Sequence, residues 1–214
     1  MAGPVARVLI GGNDDYHDLI GAGTALRDAF IHDGLAATLH VGIGPQQVGP
    51  DPNAVLVLYT NGMRMAPDHQ AALVARVESG SGLVALHCSS VDVEAPGWHA
   101  PWLGLIGCRF AHHPPFGKFT VTPAADHPIT AGMTAFDIED ELYLTEPVGD
   151  TGTVIATAQH DGKSHPIVTL HDRGKGCVCY LALGHDHRAW HHLSFQTLLT
   201  RSVRWVGRAT LGQV

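Results

Sequence analysis

The chain has 214 residues, 45% of them hydrophobic and only 15% charged, a composition that suits one domain with a well-buried core and argues against disorder. Its net charge of -7, with 13 Lys and Arg in all, leaves no basic face to neutralise phosphates, so nucleic acid is not an expected partner. Histidine is the outlier, because its 16 copies outnumber Lys and Arg together.

Val5 to Ile10 is a short apolar run of β type that ends at Gly11-Gly12. A polar loop leads into a helical pattern through Leu19, Ala22, Leu26 and Phe30, closing at Gly34. Ala36 to Val41 reads as a second strand and Ala54 to Tyr59 as a third, with a Gly/Pro-rich connection between them. Pro67 suits the first position of a helix carrying Leu73, Val74 and Val77 and stopping at Gly80. Leu83 to His87 is the next strand. Continuous apolar strands separated by helices are the pattern of a parallel sheet covered on both faces, so the first half is doubly wound.

After Ser90 the pattern changes. A short helix is expected from Trp98 to Ile106, then strands at Lys118 to Val121, Ile138 to Leu144, Val154 to Ala158 and Ile167 to Leu170, linked by turns such as Asp161-Gly162-Lys163. These strands either extend the sheet or form an antiparallel flap. Gly174-Lys175-Gly176 introduces a last strand, Cys177 to Leu183, and Trp190 to Val206 reads as the final helix. The whole of residues 1–214 is expected to form a single domain.

The N-terminal apolar run is too short for a signal segment and no stretch reaches the length of a membrane span, so no membrane partner is expected. The four cysteines, Cys88, Cys108, Cys177 and Cys179, form no C-x-x-C pair and are sparse for a disulfide framework, which points to a reducing cytoplasm.

In an open α/β sheet ligands bind at the carboxyl ends of the strands. Three histidines fall there: His17 after the first strand, His87 at the end of the fourth, and His185 after the last. They are the candidate site and the candidate metal ligands. His112 and His113 follow the helix leading away from His87, and His113 is taken as a substrate-binding residue, together with Asp186 and Trp190. Asp140-Glu141 adds carboxylates. On an unbroken strand adjacent residues face opposite sides, which turns Glu141 inward and Asp140 outward with Ile138 and Leu142. Neutral imidazoles with one carboxylate suit Zn or another borderline divalent metal, and the same groups serve equally as a metal-free acid and base; spacing leaves both open. No nucleotide cofactor is expected.

GLVALHCSS, the WLGLIGCRFAHHP segment, DHPITAGM, DELY and GKGCVCYLALGHDHRAW occur in order between residues 80 and 205, with GGNDDYHD preceding them. Together they resemble the ThuA-like, or trehalose utilisation, family. The resemblance implies a flavodoxin-like, class I glutamine amidotransferase-like three-layer α/β sandwich with a mostly parallel central sheet. It sets His87 where amidotransferases carry their cysteine nucleophile, with Cys88 one residue off, and His185 near the position of their base. Glutamine hydrolysis is therefore not expected. The family's association with trehalose and related glycosides implies a small sugar substrate first oxidised to its 3-keto form, with a sugar dehydrogenase as pathway partner. His87, His185 and Glu141 are then the expected catalytic groups for abstraction of the C2 proton, elimination and hydration. A 3-keto sugar isomerase and a non-catalytic sugar-binding or regulatory protein are the alternatives, and a homo-oligomer is compatible with all three. Trp98, Trp102 and Trp190 are candidates to offer an apolar face to a sugar ring.

Overall fold

The computed structural model describes residues 3–13, 15–49, 51, 53–61, 66–91, 100–124 and 126–210. Eleven strands are present among them: β1 (Val5–Gly12), β2 (Ala36–Val41), β3 (Ala54–Asn61), β4 (Gly82–Leu86), β5 (Cys108–His112), β6 (Gly117–Pro123), β7 (Phe136–Asp140), β8 (Leu144–Pro147), β9 (Thr153–His160), β10 (Lys163–Arg173) and β11 (Gly176–Leu181). The helices are α1 (Leu19–His32), α2 (Pro45–Val48), α3 (Pro67–Glu78), α4 (Ala100–Ile106), α5 (His187–Trp190) and α6 (Leu193–Thr210).

Nine strands make one sheet in the order β2-β1-β3-β4-β11-β10-β9-β6-β7. From β2 to β11 every pairing is parallel; from β11 to β7 every pairing is antiparallel. The second-half strands thus extend the sheet, while β5 and β8 pair separately as a two-stranded flap. Helices α1 and α6 pack on the parallel core and touch each other, as do α3 and α4, giving helix layers around a central sheet.

The reasons lie in the local sequence. Every residue of β3 and β4 is buried, as expected of strands covered on both faces, and each fully buried aliphatic side chain there contributes about 1.5 to 3 kcal/mol. Helix α1 begins where the Asp18 carboxylate accepts a hydrogen bond from Gly21 N–H, and it buries Leu19, Ala22, Leu26 and Phe30 on one stripe. It stops at Gly34, whose φ of 78° a side chain would disfavour.

Three expected boundaries move. The strand foreseen from Ile138 to Leu144 breaks after Asp140, and Leu144 starts β8 in the flap. The single helix foreseen from Trp190 splits into α5 and α6, because Asp186 caps a separate turn by accepting from Arg188 N–H. The strand foreseen to include His87 ends at Leu86, and His87 to Ser90 form a 3-10 turn. Trp98 lies outside the described residues, and α4 is described from Ala100.

Candidate functional site

Four chain segments converge at the carboxyl edge of the parallel strands. The loop after β1 brings His17, the turn after β4 brings His87, the break after β7 brings Glu141, and the loop after β11 brings His185. One ligand atom from each lies within 4.8 Å of the others. The rings of His17 and His185 have centroids 4.9 Å apart, and His17 and His87 5.2 Å.

His87 is held most firmly. It sits at a φ of 41°, a left-handed conformation that costs a non-glycine residue about 1 kcal/mol or more, at a sharp elbow between strand and turn. The elbow is clamped: the Tyr180 and Ser90 hydroxyls donate to the His87 carbonyl, Ser89 Oγ donates to Leu58 O, and Trp102 Nε1 donates to Ser89 O. The His87 ring stacks on Tyr143 with centroids 3.7 Å apart and is 0% exposed. Its Nδ1 lies 2.9 Å from Ala182 O, which only accepts, so the proton is on Nδ1 and the Nε2 lone pair faces the cluster.

Glu141 receives three imidazoles. Its Oε2 lies 3.0 Å from His185 Nδ1 and 3.5 Å from His87 Nε2, and its Oε1 lies 3.5 Å from His113 Nε2. None of these approaches has the angle of a hydrogen bond at His87 or His185, and the buried nitrogens His17 Nδ1, His87 Nε2 and His185 Nδ1 have no hydrogen-bond partner among the described residues. Buried polar atoms are rarely left so, and each unpaired one costs about 1 to 3 kcal/mol. The His87 Nε2 lone pair, facing a carboxylate oxygen at 3.5 Å, needs a positive charge between them, a proton or a cation. In a tetrahedral Zn site ligand atoms stand about 3.4 Å apart, so this set, whose atoms all lie within 4.8 Å of one another, fits a divalent ion after its widest pairs close by up to about 1.4 Å.

Electrostatics follow the geometry. Burial, and next the neighbouring His87 and His185, push the pKa of His17 down to about 3, which keeps it a neutral ligand at physiological pH. Burial opposes charge on both Glu141 and His185, but their mutual contact outweighs it, holding the Glu141 carboxyl well below the usual range and raising His185.

The sequence expectations are placed as follows. Glu141 faces the cluster, but Asp140 does not face outward: it is 1% exposed, because the strand breaks after it and both carboxylates serve the same edge. Asp140 Oδ2 accepts from Gly184 N–H at 2.7 Å and Oδ1 from His185 and Glu141 N–H at 2.9 Å, gripping the loop that carries His185. Burial raises its pKa against the pull of the nearby His87 ring and of these amides. His113 stands at the rim beside Glu141, its Nδ1 donating to Pro114 O, whereas His112 is exposed at the end of β5. Asp186 pairs with Arg188 and caps α5, outside the cluster. Trp190 and Trp102 are buried with their indole N–H groups donating to Gly184 O and Ser89 O, so both pack the scaffold and neither offers a face to a sugar. Cys88 is 0% exposed, and burial pushes its thiol far above the usual range. Tyr143 and Tyr59 were not foreseen. Tyr59 Oη donates to Gly184 O, and Tyr143, whose Oη lies 3.5 Å from His17 Nε2, is the last letter of DELY.

A parallel core with antiparallel extension, and an elbow residue at the end of a central strand, define a class I glutamine amidotransferase-like α/β protein. A GMP synthase subunit from Thermoplasma acidophilum superposes with a TM-score of 0.59 at 12% identity, over 95% of this chain and 94% of that one. Nearer in shape are two ThuA-like proteins: one from Parabacteroides merdae (TM-score 0.78, 19% identity, 95% of this chain and 90% of that) and one from Bacteroides uniformis (0.76, 16%, 96% and 92%). The trehalose utilisation (ThuA) family pattern matches residues 50–206, and the chain belongs to that family. No curated protein sequence matches it. No helix of the described residues is long and apolar enough to cross a membrane.

Proposed function

We propose that this chain is an enzyme of carbohydrate utilisation that acts on 3-keto glycosides, with His17, His87, His185 and Glu141 holding a divalent metal such as Zn. The observation that carries the reading is the set of three buried imidazole nitrogens, without hydrogen bonds, gathered around one carboxylate. Membership of the trehalose utilisation family supports a carbohydrate substrate, and the 3-keto form is part of the proposal.

A ketone at C3 acidifies the proton on C2. A divalent ion held by His17, His87, His185 and Glu141 would supply Lewis-acid polarisation of the ketone oxygen. His113 lies outside the four ligands with its Nδ1 proton committed to Pro114 O, which leaves Nε2, 3.5 Å from Glu141 Oε1, as the acceptor for the C2 proton, with the carboxylate beside it to offset the imidazolium charge. The C2–H and C1–O bonds break to give an unsaturated ketone and an alcohol. Addition of water then returns H to C2 and puts OH on C1, so the net change is hydrolysis without the paired carboxylates of ordinary glycosidases. Asp140 keeps His185 in register through the backbone of residues 184 and 185.

The test is metal analysis of the purified protein together with turnover of 3-keto glucosides and their unoxidised parents. The expected result is about one equivalent of metal and turnover of the keto forms alone. Verified removal of the metal should abolish activity and leave a cooperative melt, and restoring it at about a hundred times its Kd should stabilise the fold by about 2.7 kcal/mol. Full activity after verified removal would leave the histidines as metal-free acid and base. An isomerised product with its glycosidic bond intact would replace hydrolysis by isomerisation.

A further inference from the structure

We propose that the groove beside His17 seats the leaving group of the substrate and takes an apolar, aryl-type aglycone in preference to a second sugar. This rests on the 3-keto glycoside reading above and names the substrate class within it.

The groove encloses about 650 Å³ at the carboxyl ends of β1 and β2, a volume ordinary for a small-molecule site. Ile10, Tyr16, Leu19, Ile20 and Val41 line it, and His17 forms part of its wall. His17 therefore belongs both to this groove and to the four-residue cluster, so the two meet at its ring and a substrate reacting at the cluster has the groove as its neighbour.

Its lining is unusual for this protein. Tyr16 is 75% exposed, Ile20 61% and Val41 69%, so half of the six large hydrophobic side chains left exposed among the described residues gather here. Folding gains nothing from such a gathering, and contiguous exposed apolar surface marks a binding site. Polar side chains are few. Asp18 is committed to the N-cap of α1 and His17 to the cluster, which leaves the Tyr16 hydroxyl as the free polar group of the lining side chains. A second sugar would bring several hydroxyls with one free side-chain hydroxyl and scattered backbone groups to pair them, whereas an aromatic ring asks only for the apolar contact that the five large side chains offer.

The experiment compares kcat/KM for phenyl, glucosyl and methyl 3-keto glucosides in the parent and in an Ile20→Asp/Val41→Asp double variant. Both positions are exposed, and an acidic residue in the first turn of α1 suits the helix, so the fold should persist, as a melt would verify. Burying a phenyl ring predicts a preference of roughly tenfold or more for the phenyl over the glucosyl substrate. The double variant should lose about tenfold on phenyl and stay within twofold on methyl. Equal rates for phenyl and glucosyl in the parent, or an equal loss on all three, would overturn the proposal while leaving the keto-glycoside reading intact.

Should no keto glycoside be turned over, the reading fails and calorimetric binding of unoxidised phenyl and methyl glucosides decides the groove. A tenfold preference for phenyl that the double variant removes supports it; no preference overturns it. A change in sedimentation from dimer to monomer in the double variant, with phenyl binding unaltered, also overturns it and makes the groove a self-association surface.

Discussion

Two clusters of histidine and carboxylate sit on opposite halves of the same sheet. At the carboxyl edge of the parallel strands, His17, His87 and His185 surround Glu141 with buried nitrogens that no hydrogen bond among the described residues satisfies. On the antiparallel extension, His171 is equally buried, yet its Nδ1 lies 2.9 Å from Asp150 Oδ1 and its Nε2 3.1 Å from Thr169 Oγ1, while Arg173 closes the other carboxylate oxygen at 2.6 Å. Residue types are nearly the same in both. The difference is in what remains unpaired: a satisfied imidazole ties a loop to a sheet, and an unsatisfied one waits for a ligand.

The largest effect that would break this contrast is at His87. His87→Ala should lower turnover of a 3-keto glycoside by at least a hundredfold, as expected for loss of a metal ligand or general base, and should reduce bound metal. Its melting temperature should fall by no more than several degrees, the cost of leaving Ala182 O unpaired and a ring-sized space beside Tyr143. Normal turnover per folded molecule with a much lower melt would make His87 a core residue like His171.

Asp140 is next. Asp140→Ala strands three backbone N–H groups, so a loss of about 3 kcal/mol or more is expected in urea unfolding. Asp140→Asn keeps the shape and should fold better while lowering kcat about tenfold with KM little changed, because it holds His185 through the backbone. An unaltered kcat in a folded Asp140→Asn protein would show that the loop keeps its register unaided.

His171→Ala should resemble His87→Ala in stability, which falls by about 1 to 3 kcal/mol, and differ from it in leaving activity per folded molecule unchanged. Cys88→Ala should leave activity within a few-fold, since its thiol is buried beside the elbow and held protonated; abolished activity with a normal melt would restore it as the nucleophile.

The smallest effect sharpens the second cluster. The hydrogen bond with His171, and after it Arg173, hold the Asp150 carboxyl down at about 2 against an ordinary value of 3.8. The stabilisation is complete above the ordinary value and fades as pH falls through about 2. Asp150 is largely exposed, so its share is about 1 kcal/mol or less, and Asp150→Asn should flatten the acid limb of a stability–pH curve by no more than that. A larger change would mean that the pair does more than tie down its loop.

The parallel core was legible because strands buried on both faces must be written as apolar runs, and VLIG, VLVLY and LVAL are. From that, His17, His87 and His185 followed, since parallel strands deliver all their carboxyl ends to one edge. Glu141 was reached by strict alternation along a strand that breaks at that very point, and the same rule sent Asp140 the wrong way. Trp190 could not be separated from a sugar-stacking residue, because an aromatic side chain carries the same letter whether it lines a cavity or fills one. Which imidazole nitrogens are paired and which are left open depends on a carbonyl 95 residues from His87, or a carboxylate 21 residues from His171. Hydrogen bonds of that kind join segments far apart in the chain, and only the assembled sheet brings their partners within 3 Å.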